Sequence, residues 1–180
     1  CCAEVSIEML EQAVGKDENG GIPWIGGGGQ RLPFRRSIFD CVYMTLVIHH
    51  IQNKRLAIRE MYRILNKGGS CVIVTSSHAR LKTHVVRDFP GVIAIDLKRV
   101  PPIPWIKETM KGVGFREIRH YNVPSKQSYV STRDYLERVR NRYISTLTLL
   151  SEDEFQKGLT VFEERARRKY KKRIRQFTGF

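Results

Sequence analysis

The sequence predicts an α/β fold organised around a parallel sheet. Three features predict it: two apolar runs of strand length at residues 40–45 and 70–76, an amphipathic segment of helix length between them, and glycine-rich turns at the junctions. Strands that alternate with helices of about ten residues are typical of βαβ units. A chain of 180 residues is long enough for one domain with an appendage, and its 41% of hydrophobic residues is ordinary for a globular protein.

Capping and turn residues predict the amino-terminal elements. Ser6 is placed to cap a helix over residues 6–13, because a serine oxygen can accept a hydrogen bond from a free amide of the first turn. The sequence IPWI at 22–25 predicts a short strand that ends at the glycine run 26–29. The strand at 40–45 has almost no polar residues, which predicts that both of its faces are covered.

The middle of the chain continues the alternation. Residues 53–65 predict an amphipathic helix that ends at a left-handed glycine in the sequence NKGG, and residues 70–76 predict the next buried strand. The sequence PWIKETMKGVGF predicts a further helix, closed by Gly114. After it, residues 115–123 alternate between apolar and polar side chains, which predicts a strand.

Two helices and no further strand are predicted for the rest of the chain. One spans 132–142 after the cap Ser131, and the other begins at Ser151, where Glu154 completes a capping box. The second helix carries one apolar stripe, formed by Phe155, Leu159, Phe162, Ala166 and Tyr170. Its acidic start and basic end match the helix dipole, so the basic sequence ERARRKYKKRIRQ has a structural explanation.

Several segments, in this order, resemble class I S-adenosylmethionine-dependent methyltransferases, most closely the type 11 group. The segments are EVSIEML, LPF followed by FDCVYMTLVIHHI, LAIREMYRILNKGGSCVIVT and GFREI. The resemblance implies a Rossmann-like sheet with flanking helices, S-adenosylmethionine as the cofactor, and transfer of its methyl group to an acceptor. It also implies that residues 1–122 are a partial methyltransferase core with strands two to six, and that residues 123–180 are a helical insertion or appendage with a basic end.

The resemblance further implies a sheet that is incomplete at both ends. The family's first strand and its glycine-rich GxGxG turn are expected before Cys1, and the sequence CCAE represents the second strand. The family's final strand is expected to begin near the sequence FTGF at the end of the chain. A sheet without its central strand exposes unpaired strand edges, so these 180 residues are expected to bind the cofactor poorly in isolation.

A set of cofactor-binding residues follows from the same resemblance. Glu4 stands at the end of a strand, where an acid can accept hydrogen bonds from both ribose hydroxyls. The alternative is that Glu4 only lies beside the positive end of the dipole of the following helix. The family usually has an acid for the adenine amino group where this chain has Gly28. Two interpretations stay open: the backbone of Gly28 and Gly29, or Gln30, contacts the adenine, or the glycines form a flexible loop and the site is degraded. The other residues implied to line the cofactor are Val5, Met9, Thr45 and Leu46.

Three histidines are candidates for a substrate pocket. His49 and His50 follow the strand at 40–45, at the edge where open α/β sheets bind ligands. On an extended segment adjacent side chains point to opposite sides, so this pair is not expected to chelate a metal. We expect His50 to pack and cap, with general-base catalysis as the alternative, and His49 to border the pocket. His78 follows the next strand, and a simple loop role is the alternative there.

No catalytic residue is assigned from the sequence. A sulfonium methyl group is already activated, so the enzyme mainly aligns the nucleophile for an in-line displacement, and a base is needed only if the acceptor must lose a proton. Histidine, serine and cysteine residues form no convincing catalytic constellation in the sequence.

Charge and composition limit the partners. The net charge of +14 permits contact with RNA, but the basic cluster at 165–175 contains only one aromatic residue, Tyr170. A small-molecule acceptor is therefore expected, with a tRNA-modifying methyltransferase or a non-catalytic binding protein as alternatives. The longest apolar run is too short to span a membrane, and neither a membrane partner nor a metal is expected. Four cysteines without disulfide or zinc spacing favour a reducing, cytoplasmic setting.

Overall fold

The computed structural model describes residues 1–123, 127–170 and 172–177, which form six strands and seven α-helices. The strands are β1 Cys2–Glu4, β2 Trp24–Gly26, β3 Phe39–Thr45, β4 Leu65–Val74, β5 Gln127–Ser131 and β6 Arg173–Phe177. The helices are α1 Ile7–Lys16, α2 Lys54–Ile64, α3 His78–Leu81, α4 Val92–Arg99, α5 Ile103–Val113, α6 Thr132–Arg140 and α7 Glu152–Lys169. The chain divides into two compact units: the first holds residues 1–75 and 101–118, and the second holds residues 76–100 and 119–180.

The first unit contains two pairs of parallel strands. β1 pairs with β2 so that Glu4 lies opposite Gly26, and β3 pairs with β4 so that Thr45 lies opposite Val74. Parallel strands need a crossover connection, and α1 and α2 lie in these two connections. Each pair therefore presents the carboxyl ends of its two strands side by side, which is the arrangement that the βαβ pattern predicts.

Packing of α2 against α5 forms the core of the first unit. Ile58 of α2 and Ile106 and Met110 of α5 are buried together with Ile48, which follows β3. Burying one such side chain stabilises a fold by about 1.5–3 kcal/mol. This cluster fixes where the chain leaves β3, and so positions the loop that carries the two adjacent histidines.

The predicted helix caps are confirmed. Ser6 accepts a hydrogen bond from the amide of Met9 at 3.2 Å. At the start of α7, Ser151 accepts from the amide of Glu154 at 3.3 Å, and the Glu154 carboxylate accepts from the amide of Ser151 at 3.0 Å. Gly114 ends α5 with left-handed backbone at φ 123°. Each cap satisfies amides or carbonyls that the helix itself leaves unpaired.

The prediction that α2 ends at a glycine is wrong. Its last residue is Ile64, and the buried Leu65 continues in extended backbone as the first residue of β4. The left-handed glycine of the NKGG sequence, Gly68 at φ 84°, lies inside β4, where the register with β3 shifts between Phe39 and Cys41. Burial of Leu65 decides the boundary, and the glycine accommodates the irregularity in the strand.

The prediction of a strand at 115–123 is also wrong. These residues have no regular secondary structure. Phe115 packs edge-on against Tyr62 with ring centroids 4.9 Å apart, and Ile118 joins the same apolar cluster three residues later. A strand needs a neighbour for its backbone amides and carbonyls, and within the described ranges no strand pairs with this segment.

The strands β3 and β4 are not covered on both faces, contrary to the expectation from their apolar sequence. Tyr43 is 66% exposed, and Val72, which lies opposite it, is 46% exposed. The alternate residues Met44 and Ile73 pack against the buried cluster of the first unit. Since neighbouring strand residues point to opposite faces, one face of this pair is buried and the other is open.

The second unit has its own core, which contains the predicted stripe of α7. The ring of Phe89 lies 5.6 Å from that of Phe155 and 6.0 Å from that of Phe162. Of the stripe residues, Phe155, Phe162 and Ala166 are buried, and Leu159 and Tyr170 pack against the same core. The predicted stripe is confirmed, and its covering residues come partly from the segment 76–100, which the sequence analysis placed with the methyltransferase core.

An antiparallel pair, β5 and β6, was not predicted. Tyr129 lies opposite Arg175, and Val130 lies opposite Ile174, whose side chain is buried in the core. The sequence analysis assigned the basic sequence up to Gln176 to the end of a helix, but α7 ends at Lys169. Pairing with a strand about 45 residues away and burial of Ile174 decide the structure of this segment. Neither effect can be seen in the local sequence pattern.

Candidate functional site

The carboxyl ends of β1 and β2 bring Glu4 beside the glycine run. The amide of Gly27 donates to the Glu4 carbonyl at 2.9 Å. The carboxylate oxygen Oε1 of Glu4 accepts from the amides of Val5 and Ser6 at 2.8 and 2.9 Å. Among the described residues nothing donates to the second oxygen, Oε2. The carboxylate is thus held at the end of the strand and can accept hydrogen bonds from the hydroxyl groups of a ligand.

The glycine run after β2 packs closely against its neighbours. A Cβ atom on Gly27 would lie 2.9 Å from Cδ of Pro33, and one on Gly29 would lie 3.2 Å from Cδ1 of Ile51. Glycine at these two positions therefore allows a close approach of the backbone. This packing explains why glycine occupies positions 27 and 29.

Gly28 differs from its neighbours because it borders open space. A Cβ atom on Gly28 would meet only Cγ2 of Val5, at 3.9 Å. The Val5 side chain is 76% exposed, and the Gly28 carbonyl accepts from the amide of Arg31 at 3.0 Å. Val5 and Gly28 thus form an open apolar surface beside Glu4, of the kind against which a flat ring can pack.

Gln30 connects the loop after β2 to the loop after β3. Its side-chain oxygen Oε1 accepts a hydrogen bond from the amide of Asn53, the residue that caps α2. The contact between Gly29 and Ile51 joins the same two loops. The hydrogen bond from Asn53 uses one of the two lone pairs of Oε1, so this oxygen keeps a second one with which it can accept from a ligand.

Strained backbone follows the end of β3. Leu46 has φ 53°, in the left-handed region that side chains other than glycine rarely adopt. Its amide donates to the Val74 carbonyl at 2.9 Å, which holds this residue against the end of β4. Thr45, Leu46 and Val47 are all exposed at this edge. Strained backbone of this kind clusters at functional sites.

His49 and His50 do not point to opposite sides, and the prediction based on an extended segment is wrong. They lie in a 3-10 helix, Ile48–His50, with ring centroids 4.1 Å apart and ring planes at 41°. Val47 already has helical backbone, and the fully buried Ile48 anchors the segment in the core. The two rings therefore lie together at the carboxyl end of β3.

His78 lies in the second unit, at the start of α3. Its Nε2 atom donates to the Val100 carbonyl at 2.8 Å. Ser77 caps the same helix by accepting from the amide of Arg80 at 3.3 Å. The bond to Val100 gives His78 a local packing role within this unit. The structure does not bring it together with the other candidate residues in one unit.

An ion pair that the sequence analysis missed fixes the loop before β3. The guanidinium of Arg63 donates to the two carboxylate oxygens of Glu60 at 2.7 and 2.8 Å. It also donates to the carbonyls of Phe34 and Leu32 at 2.8 and 3.0 Å, and the Leu32 amide donates to Glu60 at 2.9 Å. Hydrogen bonds from Arg63 lower the pKa of the Glu60 carboxyl. The i, i+3 spacing of the pair was visible in the sequence, but the loop carbonyls were not.

The next features concern metal-binding groups and reactive thiols among the described residues. In the part of the chain that the structure describes, no three His, Cys, Asp or Glu side chains are grouped to hold a metal ion. Burial raises the pKa of the Cys71 thiol to about 12, so Cys71 is a packing residue rather than a nucleophile. None of the described helices is long and apolar enough to cross a membrane.

Residues 1–73 match a family described as a methyltransferase domain. This match covers less than half of the chain. The matched residues contain Glu4, the glycine run and the two adjacent histidines. The family that the sequence resembles is thereby confirmed for this part of the chain.

Two relatives of this methyltransferase segment are matched over parts of their length. A demethylmenaquinone methyltransferase of Streptomyces griseus is 39% identical over 70 residues, which are 39% of this chain and 30% of the relative. A ubiquinone/menaquinone biosynthesis C-methyltransferase of Citrobacter koseri is 23% identical over 145 residues, which are 67% of this chain and 58% of the relative. The chain thus spans less than two thirds of the length of either relative.

A solved structure supports the fold over most of the chain. It is that of an Anabaena variabilis protein assigned as a methyltransferase of an antibiotic biosynthesis pathway. The two structures superpose with a TM-score of 0.66 and 18% sequence identity, over 98% of this chain and 80% of the other. The predicted Rossmann-like methyltransferase fold is confirmed.

Proposed function

We propose that the whole protein transfers the methyl group of S-adenosylmethionine to a small-molecule acceptor. The observation that supports this most directly is the carboxylate of Glu4, held by two backbone amides beside a closely packed glycine run. It stands at the carboxyl ends of parallel strands, where open α/β sheets bind their ligands. All of these residues lie within the segment that matches a methyltransferase domain.

The residues at this edge suit the ribose and the flat base of the cofactor. Oε2 of Glu4 would accept from the ribose hydroxyls, and the surface of Val5 and Gly28 would pack against the adenine. The backbone of Gly28 and Gly29, or the second lone pair of Oε1 of Gln30, would contact the polar edge of the adenine. The remaining proposed contacts come from exposed residues of α1 and of the carboxyl end of β3, which are Met9, Thr45 and Leu46.

Alignment is the main task that the chain's own residues perform in this proposal. Bound S-adenosylmethionine supplies an activated sulfonium methyl group. Correct placement of an acceptor against such a group can lower a barrier by roughly 7–11 kcal/mol without a covalent step on the protein. His49 and His50, with their rings together after β3, would border the acceptor and orient its polar groups.

The acceptor is proposed to be a ring of the quinone type. The names of the two relatives, a demethylmenaquinone methyltransferase and a ubiquinone/menaquinone biosynthesis C-methyltransferase, favour this class. A tRNA-modifying methyltransferase is a second candidate, favoured by the net charge of +14. A binding protein without catalysis is a third, favoured by glycine at position 28 in place of the family's adenine-binding acid.

Incubation of the whole protein with a methyl-labelled donor separates the three candidates. Demethylated quinone and unmodified tRNA would be offered together, and the label would be counted in the organic extract and in the RNA. We expect the label in the organic extract. Label in the tRNA would support the second candidate. Binding of S-adenosylhomocysteine without transfer to either acceptor would support the third.

A further inference from the structure

Positive charge is concentrated in the second unit. Residues 76–100 and 119–180 hold 20 of the 32 Lys and Arg residues but only 9 of the 18 Asp and Glu residues. They therefore carry 11 of the 14 net positive charges. Within them, the stretch 163–175 contains eight basic and two acidic residues.

Two of these eight basic side chains are already paired. Nη1 of Arg165 lies 2.7 Å from Oδ2 of Asp88, and its Nη2 donates to the Val85 carbonyl. Arg165 thus points into the unit and is mostly buried. Arg167 lies 3.7 Å from a carboxylate oxygen of Glu163.

Four other basic side chains are exposed where α7 ends and β6 begins. They are Arg168, Lys169, Lys172 and Arg173. Within the described ranges none of them forms an ion pair with a carboxylate. Four unpaired charges within six residues leave a strong local positive potential. Lys171 lies outside the described residues, and Arg175 is described only by its backbone.

The pairing of β5 with β6 adds an exposed ring to these charges. The register places Tyr129 diagonally across from Arg173 on one face of the strand pair. Tyr129 is 61% exposed, whereas Val130 and Ile174 pack on the other side, in or against the buried core. The sequence analysis found only Tyr170 among the charges, because the partner strand comes from a distant part of the chain.

We propose that this surface, defined by Arg168, Lys169, Lys172, Arg173 and Tyr129, docks the protein onto an anionic phospholipid membrane. Lys and Arg near an anionic leaflet are attracted without strict geometric demands, and tyrosine suits the membrane–water interface. Nucleic-acid strands are usually bound with several stacking rings along their path, and the described surface offers one. The expectation of no membrane partner rested on the lack of a long apolar run, which excludes a span but not a surface contact.

This inference rests on exposure and charge alone, and it does not depend on the proposed methyl transfer. Co-sedimentation of the whole protein with vesicles tests it, using phosphatidylcholine with and without phosphatidylglycerol. The quadruple variant R168Q/K169Q/K172Q/R173Q removes the four charges. The control K16Q/K67Q/K111Q/R116Q removes four charges from exposed positions in the first unit. Thermal melting of both variants checks that the fold is retained.

The native protein is expected to bind vesicles that contain phosphatidylglycerol and to be released by high salt. Each basic residue near an anionic leaflet contributes about fivefold, so the quadruple variant should bind at least about 100-fold more weakly. The control should lose far less. The charge-conserving variant R168K/K169R/K172R/R173K should bind like the native protein, and it serves as the test if the neutral variant fails to fold.

Three results would overturn the inference. The first is equal binding by the neutral variant and its control, and the second is equal binding to vesicles with and without phosphatidylglycerol. The third is binding to single-stranded RNA that is tighter than binding to vesicles and is lost in the neutral variant. That last result would assign the surface to nucleic acid instead.

Discussion

At the scale of the residue, Gly158 shows how closely α7 packs in the second unit. A Cβ atom there would lie 2.4 Å from Cδ1 and 2.7 Å from Cα of Phe89. Phe89 is 1% exposed and cannot move aside without disturbing the core. Gly158→Ala is therefore expected to lower the free energy of unfolding by about 1–3 kcal/mol, although alanine favours helix. Urea denaturation measures this change.

Gly112 provides the matched control for that substitution. It lies in α5, and a Cβ atom there would meet nothing within 4 Å. Gly112→Ala is expected to raise the free energy of unfolding by about 0.5–1 kcal/mol, because alanine loses less conformational freedom on folding. Equal effects of the two substitutions, in sign and size, would contradict the packing described for Gly158.

Single residues were predictable from the sequence where their role is local. Ser6 and Glu154 were identified as caps because a cap bonds to amides two or three residues away. The position of Glu4 at a strand end was likewise predicted. The hydrogen bond from the amide of Asn53 to Gln30 was not predicted, because Asn53 lies in a different loop.

At the scale of the element, the pair Glu60–Arg63 holds the loop before β3 onto α2. Glu60→Gln replaces a charge-assisted pair with a weaker one and leaves the guanidinium partly unpaired. Hydrogen bonds to charged groups contribute about 1.5–3 kcal/mol, so a loss of about that size in the free energy of unfolding is expected at neutral pH. Glu108→Gln on the exposed face of α5 is the control and should change little.

The same pair predicts a dependence on pH. The pKa of Glu60 is lowered from its ordinary value of 4.5, chiefly by the hydrogen bonds from Arg63. Because this pKa is lower in the folded state than in the unfolded chain, the ion pair contributes its full stabilisation at pH values above the pKa of the unfolded state. The contribution is lost as the pH falls through the pKa of the folded state. The difference in unfolding free energy between the native protein and Glu60→Gln should thus shrink below about pH 4.5. A difference that stays constant into acid would count against the ion pair.

Helices were predictable from the sequence where capping residues and hydrophobic periodicity agree. Strands were predicted wrongly where their formation depends on pairing with a segment far away in the sequence. α1, α2, α5 and α7 were predicted from their patterns. The segment 115–123 alternates like a strand but finds no partner among the described residues, whereas β6 carries a basic sequence and pairs with β5. Strand formation depends on a neighbour, which no local pattern supplies.

At the scale of the whole molecule, the second unit depends on two separate stretches of the chain. Its core combines Phe155 and Phe162 of α7 with Val86, Phe89 and Val92 from the segment 76–100. A fragment of residues 131–180 alone would expose the apolar face that these three residues cover. We expect this fragment to show no cooperative thermal transition by circular dichroism. A sigmoidal melt of the isolated fragment would show that it is an independent domain.

The candidate site was only partly predictable at this scale. The family pattern predicted that Glu4, the glycine run and the segment of His49 belong to one edge. It did not predict that the two loops are joined through Gln30 and Ile51, or that the histidine rings lie together. These features depend on how the buried Ile48 and the α2 cap fix the loop in three dimensions, which is a property of packing.

The central claim is that the carboxylate of Glu4 binds the ribose of the cofactor. Calorimetric titration of the whole protein with S-adenosylhomocysteine tests it, with the native sequence compared with Glu4→Ala, Glu4→Gln and the control Glu11→Gln. Glutamine can keep an oxygen for the amides of Val5 and Ser6 but replaces the second carboxylate oxygen with a donor. It therefore separates loss of the ligand contact from loss of the local turn.

The account predicts that Glu4→Ala raises the dissociation constant by a factor that corresponds to about 1–3 kcal/mol of binding free energy. Glu4→Gln should also raise it, while thermal stability is retained. Glu11→Gln, on the exposed face of α1, should bind like the native protein. Affinities within about twofold of the native value for both Glu4 variants would contradict the assignment.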